Sequence, residues 1–240
     1  MSTGDSTRSG FSTGFLLHPA AALHDTGWGH PEHQGRMRAL ASAVSRDMMA
    51  LHDRVAQVEP RTATDEELLR VHNREHLERV RELVDEALEK DHPVALDPDT
   101  VVSGPSWDAA AGSTGAVLAA VDGVRKGAMR NAFVATRPPG HHATPSRGMG
   151  FCLLNHMAVA TRYVLDRGIA GRVLIVDWDV HHGNGTQEAF YEEGAVYYLS
   201  LHQHPHFPGT GRTEDRGAGP GEGTVLNVPL APGTSREEYR

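Results

Sequence analysis

A single cysteine, Cys152, excludes an internal disulfide framework and any multi-cysteine zinc cluster. No apolar run approaches the roughly 18 residues of a membrane span, and Met1 to Phe15, rich in Ser, Thr and Gly, lacks the apolar core of a signal peptide. Positive charge is short as well: 23 basic residues, nearly all Arg, face 31 acidic ones, for a formal net charge of −8. That balance excludes a polybasic surface for nucleic acid or anionic lipid, which needs concentrated positive charge. The expectation is a cytoplasmic protein with no direct nucleic-acid binding and no membrane segment, of an oligomeric state the sequence leaves open. Aromatic residues are few, with three Trp, five Tyr and six Phe, whereas His is abundant at 16 in 240 residues.

Residues 1–14 have the composition of a disordered tail. A loop-rich stretch, 24–32, leads into a helix expected from about Gly35 to His52. Thr64-Asp65-Glu66-Glu67 has the form of a capping box, and Asn73 is placed to cap a helix with apolar residues at Leu77, Val80, Leu83, Val84, Ala87 and Leu88. An Ala-rich helix is expected from Trp107 to Val124, with Gly112 and Gly115 marking close packing. From there short apolar runs alternate with helices. Strands are expected at 132–136, 173–176, 196–201 and 225–228, and a helix at 156–167 closed by Gly168. Apolar strands alternating with helices point to an α/β fold with a mostly parallel sheet.

Ligand groups in such sheets collect past the carboxyl ends of strands. Three expected strands run there into His or Asp: Arg137-Pro138-Pro139-Gly140-His141-His142, Asp177-Trp178-Asp179-Val180-His181-His182-Gly183-Asn184-Gly185, and His202-Gln203-His204-Pro205-His206-Phe207-Pro208-Gly209. In an extended chain Asp177, Asp179 and His181 point the same way, and a carboxylate with an imidazole two residues apart suits Zn²⁺. Pro139-Gly140 fits the middle of a type II turn projecting His141 and His142, whose imidazoles titrate near the pH at which proton transfer is useful. His202, His204 and His206 read as surface histidines of a Pro/Gly loop. Phe207 is placed to wall a pocket, with Phe151 as a second aromatic. Cys152 reads as a small buried residue.

The runs Arg137–Ala143, Gly148–Asn155 and Asp177–Thr186 resemble the zinc-dependent histone deacetylase family, most closely its class II-like bacterial amidohydrolases and the acetylpolyamine amidohydrolases. Gly29-His30-Pro31-Glu32 with Arg36, and Leu69-Arg70-Val71-His72, resemble its N-terminal signatures. The likeness implies a three-layer α/β/α, arginase-like sandwich around a mostly parallel sheet. It implies Zn²⁺ held by Asp179 and His181, His141 and His142 as catalytic histidines, and Asp177 and Asn184 holding those two. It further implies a substrate tunnel at Gly150, Phe151 and Phe207, and a K⁺ site at Asp177, Asp179, His181, Ser200 and Leu201. The implied reaction releases acetate from acetylated lysine. Alternatives are acetylpolyamine as substrate, or a non-catalytic acyl binder. The family's third zinc ligand, an Asp, and its oxyanion Tyr or His find no matching motif in the 240 residues. Residues 15–240 are therefore expected to be the N-terminal portion of one catalytic domain, C-terminal strands missing.

Overall fold

The computed structural model describes residues 12–51 and 54–240. Residues 1–11 of the expected tail, and His52 at the expected helix end, lie outside the described residues. The chain instead starts its first strand early: β1 is Thr13–Leu17. Five apolar or neutral residues beside a Ser/Thr/Gly run left no alternation to read.

Around β1 forms a parallel sheet in the order β2 (Val55–Gln57), β1, β5 (Asn131–Ala135). Side chains alternate across β1. Phe15 and Leu17 face α1 (Gly35–Leu51), packing with Met37, Leu40 and Val44, while Leu16 faces α4 (Ser106–Arg125), packing with Ala116 and Ala120. Helix, sheet, helix is the three-layer arrangement expected. α4 lies so close to its neighbours that a Cβ on Gly115 would strike the backbone of residues 61–63, and one on Gly112 would strike the His18 ring.

The helical block follows its sequence signals. Thr64 and Glu67 form the reciprocal capping box of α2 (Asp65–Leu68). Asn73 Oδ1 accepts the His76 N–H at 2.8 Å to start α3 (Arg74–Lys90), whose Leu77, Val80, Leu83, Val84 and Ala87 are buried. Leu88 departs from that pattern and is 63 % exposed. A two-stranded antiparallel hairpin, β3 (Val94–Ala95) with β4 (Val101–Val102), connects α3 to α4.

A second parallel sheet follows, in the order β6 (Val173–Asp177), β7 (Val196–Gln203), β8 (Val225–Leu230). Its Ile175, Val196, Tyr198 and Val225 pack with Ala158 of α5 (His156–Asp166) and Phe190 of α6 (Asn184–Phe190). Gly168, at φ +61°, ends α5 as expected. The alternate side chains Leu174, Val176, Tyr197 and Leu226 remain exposed. Thus the mostly parallel sheet is realised as two three-stranded halves among the described residues, the second covered on one face. A short helix, α7 (Arg236–Tyr239), follows β8. No helix among the described residues is long and apolar enough to cross a membrane.

Candidate active site

The loops after β5, β6 and β7 meet, as their placement past parallel strands requires. His141 and His142 sit side by side, ring centroids 4.0 Å apart. Each is held from behind. His141 Nδ1–H donates to Asp177 Oδ2 at 3.0 Å, and His142 Nδ1–H donates to Asn184 Oδ1 at 2.9 Å. These acceptors place the proton on Nδ1 of each ring.

The two rings have unlike surroundings. Burial alone would lower the His141 pKa, but the hydrogen bond and charge of Asp177, with the charge of Asp179, hold it above the ordinary value. Burial, reinforced by the neighbouring His141, pushes His142 down to about 3. Burial disfavours the Asp177 anion, yet the hydrogen bonds and charge of its partners keep its pKa below the usual carboxylate range. Asp177 thus favours the cationic form of one histidine, while burial favours the neutral form of the other.

β6 ends at Asp177, so the extended alternation expected through His181 stops there; the chain bends after the strand. The bend still brings donors together. Asp179 Oδ1 accepts the His181 N–H at 2.8 Å and lies 3.0 Å from His181 Nδ1 and 3.9 Å from His141 Nε2. A carboxylate and an imidazole opening beside His141 and His142 match zinc in donor chemistry. In number they are one short of the three protein ligands of a catalytic zinc centre, and no group of three or more His, Cys, Asp or Glu is arranged around a metal position among the described residues.

The turn under the histidines differs from expectation. Gly140 does not take the positive φ that a type II turn demands at its third position. The turn lies two residues further on, closed by the Ala143 N–H on Gly140 O, with His141 and His142 at its centre. Gly140 is required for closeness instead, since a Cβ there would lie 2.9 Å from Leu154 O and from the His156 ring. Asn155 fastens the loop by donating from Nδ2 to Ala143 O and Thr186 Oγ1, both at 3.1 Å.

Phe207 stands edge-on to His142, centroids 5.1 Å apart, and to His181 at 6.0 Å. Phe151 takes φ +68°, and its N–H donates to Thr100 Oγ1 at 2.9 Å; its ring meets His30 at 4.6 Å. Between them Gly150, at φ +56°, leaves no room for a Cβ, which would contact the His142 and Phe207 rings. Gly150→Ala is expected to lower stability by about 1–2 kcal/mol through the left-handed backbone alone, measurable by urea unfolding, with displacement of the Phe207 ring added.

Of the five residues of the implied K⁺ site, Asp177 ends β6 and pairs in register with Ser200 of β7, where Leu201 follows, while Asp179 and His181 lie in the bend after β6. His202 is not the surface residue expected. It is buried on the inward face of β7, bonded to Ser200 Oγ and Gly211 O, both at 2.9 Å. His206 stacks on His181 at 4.8 Å. Cys152 is buried, and burial pushes its thiol pKa up, which fits an inert residue.

Two contributors escaped the sequence. Tyr198 donates its hydroxyl proton to Asp177 Oδ2 at 3.0 Å, and its inward place in the β7 alternation was the available signal. Thr100, which fixes Phe151, had no local signal, because it acts across 51 positions.

Residues 30–240 match the histone deacetylase domain model. A probable deacetylase of Archaeoglobus fulgidus is 37 % identical over 227 residues, covering 95 % of this chain and 61 % of that protein. A histone deacetylase-like amidohydrolase of Pseudomonas aeruginosa is 40 % identical, covering 94 % of this chain and 56 % of its own length. The crystal structure of the HDA15 HD domain superposes with a TM-score of 0.83 at 36 % identity, over 91 % of this chain and 62 % of that one. The chain spans about three-fifths of the length of such relatives. It belongs to the histone deacetylase family.

Proposed function

We propose that these residues belong to a zinc-dependent amide hydrolase that releases acetate from acetylated lysine. The observation carrying this reading is the His141–His142 pair, one ring hydrogen-bonded to the Asp177 carboxylate and the other to the Asn184 amide oxygen, facing the Asp179–His181 donors. Zinc bound by Asp179 and His181 would polarise the amide carbonyl and acidify a water.

His142, with Nδ1–H engaged by Asn184, presents Nε2 as the base that takes a proton from the attacking water. His141, whose protonated form Asp177 favours, is the acid that returns one to the departing amine. Tyr198 and Gly183 fix the Asp177 side: the Tyr198 hydroxyl lies within reach of both Asp177 Oδ2 and Gly183 O. Phe151 and Phe207 would flank the alkyl chain of the substrate, with the Gly150 backbone at its amide. Asp97 or Asp99, on the loop that carries Thr100 to Phe151, is suited to a substrate backbone amide or a cationic amine. A K⁺ ion at Asp177, Asp179, His181, Ser200 and Leu201 would steady the same strand ends. A cytoplasmic setting suits a lone unpaired cysteine.

The test is acetate release from an acetyl-lysine peptide and from acetylspermidine, with and without zinc. Slow, zinc-dependent release is expected, falling about 100-fold in His142→Ala. Faster turnover of acetylspermidine would move the substrate to polyamines. Acyl-peptide binding with no acetate release would overturn the catalytic reading in favour of an acyl binder.

A further inference from the structure

Among the described residues only Asp91 and Phe151 combine a β-carbon with a positive φ. Asp91 caps the end of α3, where a left-handed residue is routine. Phe151, at φ +68°, follows Gly150 at +56°, so two consecutive left-handed residues form the tip of the segment 144–155. A bulky residue keeps that backbone only where its surroundings over-determine it.

The surroundings come from the β3–β4 hairpin. Its loop is closed by the Leu96 N–H on Thr100 O at 2.8 Å. Asp97 Oδ1 accepts the N–H groups of Asp99, at 3.1 Å, and of Thr100, at 2.7 Å. Thr100 Oγ1 then donates to Asp99 Oδ1 at 3.1 Å and accepts the Phe151 N–H at 2.9 Å. His30 Nδ1 accepts the Glu32 N–H, which leaves the proton on Nε2 to be donated to Asp99 O at 3.2 Å. The same His30 ring stands edge-on to Phe151. Asp99 therefore reaches Phe151 twice, at its backbone through Thr100 and at its ring through His30. Thr100 is only 1 % exposed, too buried to touch a ligand, whereas Asp99 is exposed.

We propose that Thr100 is a positioning residue through which the exposed Asp99 carboxylate sets the Phe151 wall of the substrate tunnel. This rests on the reading of Phe151 as a tunnel wall. Without the Thr100 hydroxyl the Phe151 N–H loses its partner and the left-handed backbone loses a restraint. Gly150 shares that strained tip, and it packs so closely on the His142 and Phe207 rings that no Cβ fits between them. A shift at Phe151 is thus passed to both aromatic walls and to His142. A contact made at Asp99 acts on the tunnel by this route, in addition to whatever Asp99 itself binds.

The test combines hydrogen exchange on this chain with NMR titration of N-butylacetamide, an acetylated side chain that offers Asp99 neither a backbone amide nor an amine. In Thr100→Val, the same shape without the hydroxyl, the Phe151 amide is expected to exchange about tenfold faster, with α3 and β7 amides unchanged. N-butylacetamide is expected to bind at least about threefold more weakly. Thr100→Ser, which keeps the hydroxyl, is expected to restore both. Asp99→Ala, at an exposed position, is expected to move both readouts the same way, and it decides the matter if Thr100→Val does not fold. Native Phe151 exchange in folded Thr100→Val, acceleration spread equally over α3 and β7, or an Asp99→Ala protein native in both readouts would each overturn the inference. A native chain that binds no N-butylacetamide would count against the hydrolase reading, and the exchange comparison, which needs no ligand, then decides the Thr100 assignment by itself.

Discussion

Arg137→Met is expected to cost about 3–5 kcal/mol of folding stability, because it strips the partner from a buried carboxylate. The Arg137 side chain is fully buried. Its Nε donates to Glu32 Oε1 at 2.9 Å, and its terminal nitrogens donate to the carbonyls of Ala21, His24 and Glu32. One guanidinium thereby ties the Ala21–Glu32 loop to the start of the segment that carries His141. Glu32 is itself buried, and its Oε2 already lacks a hydrogen-bond partner. After the substitution only Arg36, 57 % exposed, would remain beside it. Arg36→Met, by contrast, is expected to cost under about 1 kcal/mol, as for exposed ion pairs. The double variant Glu32→Gln with Arg137→Met is expected to recover part of the loss, since the stranded charge is gone. Urea unfolding of the four proteins decides it. Equal, small losses for Arg36→Met and Arg137→Met would contradict the buried-charge account.

Mild acid is expected to unfold the protein. Burial lowers His24 and His72 to about 3, and His156 and His182 to about 4. Their rings are committed as neutral donors and acceptors. His72 lies 3.0 Å from Thr144 O through Nδ1 and accepts the Asn155 N–H at 2.9 Å through Nε2. His156 joins Pro138 O and Thr114 Oγ1, and His182 joins Gln187 and Thr210. Below the ordinary histidine pKa near 6.5 the unfolded chain takes up protons that the native rings refuse until about pH 4 or 3. The stabilisation they support is whole above pH 6.5 and drains as pH falls toward the native values. At pH 5.5 the loss is about 1.4 kcal/mol per ring, or roughly 5–6 kcal/mol for the four, comparable with the stability of a whole domain. His141, shifted the other way, stabilises below pH 6.5 and offsets a small part. Unfolding free energies at pH 7.5 and 5.5 that agree within about 1 kcal/mol would contradict this.

Local signals in the sequence located most elements. Capping at Thr64 and Asn73, the apolar spacing of α3 and the stop at Gly168 depend on neighbours a few residues away, and the structure keeps each. The motif residues His141, His142, Asp177, Asn184, Asp179 and His181 converge because parallel strands deliver their loops to one edge. What eluded the sequence depends on distant partners. β1 needs β2 and β5 to exist, 42 and 118 positions away in register. His202 is buried because Gly211 and Ser200 enclose it, whereas its Pro/Gly surroundings suggest a surface loop. The turn lies at 140–143, two residues beyond the expected one, and Gly140 is pressed against Leu154 and His156, which nothing nearby announces.

Asp179 and His181 are proposed to hold a metal together beside the His141–His142 pair. The most direct measurement is a zinc titration followed by the His181 side-chain NMR signals, in the native sequence and in Asp179→Ala. Saturable shifts of His181 that vanish in Asp179→Ala are expected. Absent shifts, or shifts undiminished by Asp179→Ala, would contradict the metal centre.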